Sequence, residues 1–485
     1  MKNEHLPSDL QPWLLRLRRG RAPNCSASGS VVGIALAAAG VAAVVLNLWG
    51  NRFLRWLDRD SEGEDGADGD GLAVDASGLK LRRESFGGIV AWGEPAALLY
   101  VDHPTARAAL EHGAEQVGLD SEGDIEGALR SPTEVHLAVT ERCPVACTGC
   151  YIGAGPQNEV AEADTDELYG ALEKLAAMGV FEVAFGGGES LMNEQVFKLA
   201  EHARDLGVVP NLTTSGFGLT PARARRMRGL FGQVNVSIDG LAEGYRAVRG
   251  WDGFELGMQA LKTLSEAGVA AGVNTVLTGS NLAEMPALAE VLAGLRIAEW
   301  QWLRFKPTGR GINSYEQMRL SPEQGLELWP LAVQVEKRWA LTLRFDCALV
   351  PFLAAHRLPI NLMRRLGIGG CNGGQALWSR SAIGTWGPCS FAVEGDKGAG
   401  DSLVIASDGI GGPGAVGQQE ATGLRDLWRS EPQMTRWRQR GLQPPEPCGS
   451  CAYKELCRGG CRVVAGHLSG DELAPDPECP RVLSL

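Results

Sequence analysis

Positive charge is in short supply in this 485-residue chain: 46 Lys and Arg face 58 Asp and Glu, for a formal net charge of −12. A protein that grips nucleic acid by neutralising phosphates needs the reverse balance, so no nucleic-acid partner is expected. Long apolar runs are also scarce. A single one occurs, over 31–49 (VVGIALAAAGVAAVVLNLW), broken only by Asn47. Cysteine is missing from the N-terminal part except for Cys25, a lone thiol without partners and without an assigned role. Core-forming residues are not lacking. They make up 44% of the chain, which excludes a mostly disordered protein and removes the need for disulfide staples. At roughly 150 residues per domain, about three domains are expected. The other eleven of the 12 cysteines fall at 143, 147, 150, 347, 371, 389, 448, 451, 457, 461 and 479. Clustering of that kind marks metal sites.

Composition divides the chain. Segment 1–57 carries the apolar run, with Arg16, Arg18, Arg19 and Arg21 before it and Arg52, Arg55 and Arg59 after. As a helix the run just spans a bilayer, and the basic bias slightly favours an N-terminus inside. The alternatives are a signal-peptide core without the usual cleavage pattern, a helix packed on protein, or an apolar stretch from a misplaced start codon. Residues 58–77 are acidic, rich in Gly and poor in apolar side chains, a linker by composition. Residues 78–131 read as a small α+β module. LKLRRESFGGIVAW and ALLYVD suit two strands, and HPTARAALEHGAEQV and EGDIEGAL suit helices.

Over 132–345 strand and helix patterns alternate six times, from VHLAV to WQWLRF, the expected last strand. Such alternation implies an α/β fold with parallel strands joined by right-handed crossovers, and six units suit a partial (β/α)6 barrel. In such folds the loops after the strands carry the chemistry. Residues 346–485 lose the periodicity. They form a loop-rich, cysteine-rich domain that builds little core and is expected to be stapled by metal.

The first strand is followed by Cys143-Pro-Val-Ala-Cys147-Thr-Gly-Cys150-Tyr151. Three thiols on one loop can converge on one face of a metal centre. A closed zinc site wants four ligands, whereas three suit a cubane with one iron left open. This CxxxCxxC loop resembles the radical SAM superfamily, in which the open iron takes the amino and carboxylate groups of S-adenosylmethionine. The rest of the pattern follows in order. Gly186-Gly187-Gly188-Glu189 after the second strand resembles the motif that contacts the methionine amino group, which implies that role for Gly187, Gly188 and Glu189. Thr214-Ser215-Gly216 follows the third strand. Val236-Ser237-Ile238-Asp239-Gly240 and then Arg249-Gly250 follow the fourth. The resemblance implies that Ser237 touches the ribose and Arg249 the methionine carboxylate. Taken singly, Ser237 and Asp239 equally suit helix caps. One position departs from the family: the aromatic residue usual before the third cysteine is Gly149, and Tyr151 is the nearest substitute for its adenine contact.

Cys448-x2-Cys451-x5-Cys457-x3-Cys461, with Cys479 downstream and Cys371 and Cys389 upstream, resembles the SPASM extension of that superfamily. A zinc ribbon would explain the CxxC pairs but not the series. The resemblance implies two auxiliary clusters, one on Cys448, Cys451, Cys457 and Cys479 and the other on Cys371, Cys389 and Cys461. Cys347 is one candidate for the missing ligand; a position left open to substrate is the alternative. Three 4Fe–4S clusters and S-adenosylmethionine are the implied cofactors. Implied, too, is a 5′-deoxyadenosyl radical that abstracts hydrogen from a peptide or small-protein substrate, as in maturation of ribosomally made peptides, with a flavodoxin- or ferredoxin-type reductant. Oxidation of a residue in a folded protein, as by sulfatase-activating enzymes, small-cofactor biosynthesis, and an iron–sulfur carrier or scaffold without radical chemistry are the alternatives. The 78–131 module looks like the winged-helix elements that bind leader peptides by strand addition; a structural cap on the barrel is the other reading. The chemistry implies a cytoplasmic location, and inner-leaflet contact through 31–49 stays open beside the other readings of that run.

Overall fold

The computed structural model describes residues 78–93, 96–118, 123–156, 165–392 and 423–483. The apolar run 31–49, Cys25 and the acidic linker lie outside them. No helix among the described residues is long and apolar enough to cross a membrane.

The N-terminal module differs from its expected order. Three strands precede the helix, β1 (Lys80–Glu84), β2 (Gly87–Gly93) and β3 (Ala96–Asp102), and a two-residue β4 (Glu115–Gln116) completes a sheet of order β3-β2-β1-β4. LKLRRESFGGIVAW is thus a hairpin rather than one strand. Its reversal ends at Gly87, where φ is +140° and a Cβ would stand 2.3 Å from the Asp102 carbonyl carbon, so only glycine fits. The helix His103–Glu111 is capped by Asp102, which accepts from the Thr105 N–H, and it stops before Gly113, at φ +99°. Within the expected helix EGDIEGAL, the described residues 123–129 are not helical: Ile125 and Ala128 form an isolated bridge across Gly127, whose φ is +72°. Glycine loses most on entering a helix, and two in eight residues outweigh the apolar spacing. Buried Arg82 ties this module to the rest, donating to the carbonyls of Pro132 and Gly179 at 2.8 Å each.

The main sheet is built from β5 (Glu134–Thr140), β6 (Glu182–Gly187), β7 (Val209–Thr214), β8 (Val234–Ser237), β9 (Ala271–Leu277) and β10 (Trp300–Arg304), all parallel and adjacent in chain order. Val135, Leu137 and Val139 of β5 pack into the main core with Leu168, Leu172 and Leu175 of the following helix Thr165–Ala177. Each such fully buried side chain contributes about 1.5–3 kcal/mol. WQWLRF is not the last strand. β11 (Leu343–Phe345) pairs parallel beyond β10, and β12 (Leu377–Arg380) and β13 (Trp386–Gly387) extend the other edge beside β5. These additions are two to four residues long, too short for a period to register in sequence. The cysteine-rich region is therefore continuous with the sheet through β12. Among the described residues the nine strands run in the order β11-β10-β9-β8-β7-β6-β5-β12-β13, with no bonding between the two edges, as a partial barrel requires.

Candidate metal centres

Cys143, Cys147 and Cys150 lie on the loop after β5, all partly exposed. Burial pushes the Cys143 thiol up to about 11, and the charges of Cys147, Glu189 and Cys150, all near enough to act on it, add to the effect. Burial also raises Cys150, while the N–H groups of Ile152 and Ala154 and the Arg310 guanidinium oppose it. Arg310 is the clamp of this loop. It donates from Nε to the Cys147 carbonyl at 2.8 Å and from its two terminal nitrogens to the carbonyls of Gly153 and Ala154 at 2.6 Å each. Trp251 donates from its indole nitrogen to the Cys147 sulfur at 3.3 Å. The Thr148 N–H bonds the Arg249 carbonyl at 3.1 Å, so the loop is held from two sides.

The glycine motif stands at the end of β6. A Cβ on Gly187 would lie 2.2 Å from the Thr140 carbonyl oxygen, and one on Gly188 2.2 Å from that of Arg142. These glycines let β6 close on the cysteine loop itself, and the Gly188 and Glu189 N–H groups donate to those same carbonyls. Glu189 is buried and accepts from the Leu191 N–H, the Thr214 hydroxyl, and both the N–H and hydroxyl of Ser215. Its carboxylate thus welds the second-strand turn to the Thr214-Ser215-Gly216 turn.

Ser237 closes β8 and is largely buried. Asp239 is no helix cap: the helix Ala242–Arg249 starts from Leu241 without a side-chain cap. Instead Asp239 accepts from Arg249 Nε at 2.6 Å and from the Val276 N–H at 2.7 Å. This pairing raises the Arg249 guanidinium pKa against the desolvation that would lower it, and leaves the terminal nitrogens without a hydrogen bond among the described residues. Tyr151 packs on Phe391 of the cysteine-rich region, ring centroids 4.8 Å apart. The space beside Gly149 is filled by Phe305, whose ring carbon would lie 2.6 Å from a Cβ there. A ring from the end of β10 thus occupies the space that Gly149 leaves on the loop.

Eight further thiols gather in two sets. Cys347 and Cys371 share a hydrogen bond, which pulls Cys371 down to about 5 against its burial and drives Cys347 up. Cys389 is raised by burial with the charges of Cys371 and Cys461 adding, and Cys461 is pushed up to about 11 by burial while Lys306 opposes. Cys347 thereby joins Cys371, Cys389 and Cys461. In the other set, burial takes Cys448 to about 11 and Cys457 to about 12, with Cys479 adding to both, and Cys451 acts on Cys448 and Cys479. Among the described residues no three Cys, His, Asp or Glu side chains are arranged to hold a single metal ion. The sets themselves are all-thiol, a donor class suited to iron–sulfur centres. Buried Arg462, beside the first of these two sets, has two guanidinium nitrogens without an acceptor, as a site made for an anionic group would leave them.

Sequence reasoning missed Arg310, Trp251, Phe305 and Lys306. The only local sign was Gly309-Arg310-Gly311: a Cβ on Gly309 would lie 2.4 Å from the Tyr151 carbonyl oxygen, so glycine lets this turn approach the cysteine loop.

Residues 137–292 match the family model described as the Radical SAM superfamily. Mycofactocin maturase MftC of Mycobacterium tuberculosis (strain ATCC 25618 / H37Rv) is 28% identical over 359 residues, 73% of this chain and 84% of the relative. The AdoMet-dependent heme synthase of Nitratidesulfovibrio vulgaris is 27% identical over 356 residues, 72% of this chain and 93% of the relative. Among solved structures, SuiB of Streptococcus suis bound to S-adenosylmethionine aligns with a TM-score of 0.62 at 15% identity, over 83% of this chain and 99% of that one. SuiB has also been solved bound to the precursor peptide SuiA. The three-thiol loop, the glycine turn with Glu189, and the Asp239–Arg249 pair all fall inside the matched segment, so residues 137–292 are a radical SAM domain.

Proposed function

We propose that this enzyme abstracts hydrogen from a peptide in the maturation of a ribosomally made product. Cys143, Cys147 and Cys150 would hold the catalytic 4Fe–4S cluster. Cys347, Cys371, Cys389 and Cys461 would hold one auxiliary cluster, and Cys448, Cys451, Cys457 and Cys479 the other. Bound there, a reduced cluster and S-adenosylmethionine supply a 5′-deoxyadenosyl radical able to remove an unactivated hydrogen. The protein's own part is placement and exclusion of water. Arg249, oriented by Asp239, offers its free nitrogens to the methionine carboxylate in the fork geometry that suits Arg. Gly187, Gly188 and Glu189 shape the wall that would receive the amino group, and Ser237 would meet the ribose. Phe305, which fills the space beside Gly149, and Tyr151 would offer rings to the adenine.

The observation that carries this reading is the gathering of eleven thiols into three sets, the first inside the superfamily match. The peptide substrate is supported by the likeness to SuiB along nearly its whole length, since SuiB takes a precursor peptide. The test is anaerobic reconstitution followed by S-adenosylmethionine and dithionite, with Cys147→Ala as control, and then co-expression with any short open reading frame beside the gene. A mass-shifted peptide supports the proposal; 5′-deoxyadenosine at the control level refutes it. The heme synthase relative favours a second reading, small-cofactor biosynthesis, for which 5′-deoxyadenosine would form without any peptide shift.

We divide the chain into 132–345 as the radical SAM domain, 346–485 as the auxiliary-cluster domain and 78–131 as a recognition or capping module. Low-potential clusters call for a flavodoxin- or ferredoxin-type reductant and a cytoplasmic setting. Fractionation of the full chain beside one starting at Leu72 tests membrane contact through 31–49: contact requires the full chain alone to sediment with membranes.

A further inference from the structure

Three arginines lie close to the auxiliary thiols, and among the described residues none forms an ion pair with a carboxylate. Arg462 follows Cys461, is 1% exposed, and spends one terminal nitrogen on the Trp437 carbonyl at 2.7 Å. Its Nε and other terminal nitrogen are buried and have no acceptor. Arg458 donates to the Cys371 carbonyl at 3.0 Å and to Asn372 at 2.8 Å. Arg440, also buried, spends its nitrogens on the carbonyls of Leu473, Arg458, Gly459 and Ala474. The nearby carboxylates Asp476 and Glu478 are already taken by Arg304, and Glu478 also by Arg319. Arg440 and Arg458 are both lowered by burial, and the charges that oppose this come mainly from thiols: Cys448, Cys457 and Cys371 for Arg440, Cys371 and Cys347 for Arg458.

A buried cation without an anion is costly, and a fold keeps one where an anion arrives with the ligand. A cubane core of charge 2+ on four thiolates is a dianion, and one-electron reduction makes it a trianion. A fixed cation therefore stabilises the reduced form more than the oxidised one and raises the potential, as do hydrogen bonds to the sulfurs. Resting on the cluster assignment above, we propose that Arg462, backed by Arg440 and Arg458, is a built-in counter-cation that donates to the auxiliary cluster on the Cys371 set and poises it as an electron acceptor. It is a positioning and tuning residue, not a ligand.

The test uses the full chain, reconstituted anaerobically, with iron counted and each cluster's reduction followed by EPR at controlled potential. Arg462→Gln removes the charge; Arg462→Lys keeps it. With about twelve irons per chain, the Gln variant should disfavour reduction of one auxiliary cluster roughly tenfold, a fall of about 59 mV for a one-electron couple. The Lys variant should retain more than half of the wild-type advantage, and the couple of the Cys143 set should not move. Equal auxiliary potentials in wild type and Gln variant at equal iron content would overturn the inference. If the Gln variant loses iron, the Lys variant decides: full iron at a near wild-type potential supports a role for charge, and loss of iron there too overturns it. A wild-type chain with about four irons would refute the auxiliary-cluster assignment itself, and this inference with it.

Discussion

Replacing Arg310 by Met should loosen the three-thiol loop while leaving the sheet intact. The guanidinium makes three charge-assisted hydrogen bonds, to the carbonyls of Cys147, Gly153 and Ala154, at 2.6 to 2.8 Å. Bonds of this class contribute about 1.5–3 kcal/mol each, but the three share one donor and their effects do not add. Water reaches part of this side chain and satisfies some of the released carbonyls. A net loss of about 3 kcal/mol for local opening is the working figure, which raises the open population about a hundredfold. The backbone bond from the Arg310 N–H to the Cys150 carbonyl survives the substitution, so the loop keeps its path. The assay is a chelator challenge of the reconstituted full chain, with iron release followed by absorbance. Arg310→Met should lose about four irons far faster than wild type and keep the remainder. Arg310→Lys, which can reach only one carbonyl at a time, should fall between. Release within twofold of wild type, or equal loss from all three thiol sets, would show that the clamp is not what holds this loop.

Gly149→Phe should clash with Phe305 and lower cluster content, and pairing it with Phe305→Ala should restore much of the loss; iron counts on the three variants check this. Arg304→Met leaves Asp476 and Glu478 buried with one cation fewer, and should cost roughly 3–5 kcal/mol in denaturant unfolding. A loss below about 1 kcal/mol would contradict the burial of that network. Burial and the neighbouring Glu134 carboxylate push Glu182 up to about 7. Its folded form therefore binds a proton more tightly than the unfolded chain does, so stability is fully present below the unfolded value of 4.5 and is lost as pH rises through 7. The amount is roughly 3 kcal/mol, and Glu182→Gln should abolish that part of the slope in unfolding curves taken from pH 4 to 8.

The placement of the motifs on the loops after β5, β6, β7 and β8 was legible in the sequence because its determinants are local. Three thiols within one loop, glycines at a strand end, and strand and helix periods of two and 3.6 are properties of short segments, and the six-unit order of β5 to β10 follows from them. The errors share a physical cause. The hairpin inside LKLRRESFGGIVAW and the non-helical EGDIEGAL turned on glycine conformations that override apolar spacing, and β11 to β13 were too short to show a period. Cys347 gained its place only when the chain after β11 brought it against Cys371. Trp251 reaches the Cys147 sulfur across 104 residues of sequence, and Arg310 reaches the Cys147 carbonyl across 163. The chain's own composition and spacing determined which chemistry it carries and on which loops. Which nitrogen faces which sulfur, which ring fills the gap at Gly149, and which thiols stand together were decided only by the tertiary structure, because those contacts depend on sheet register and strand order, which no local segment encodes.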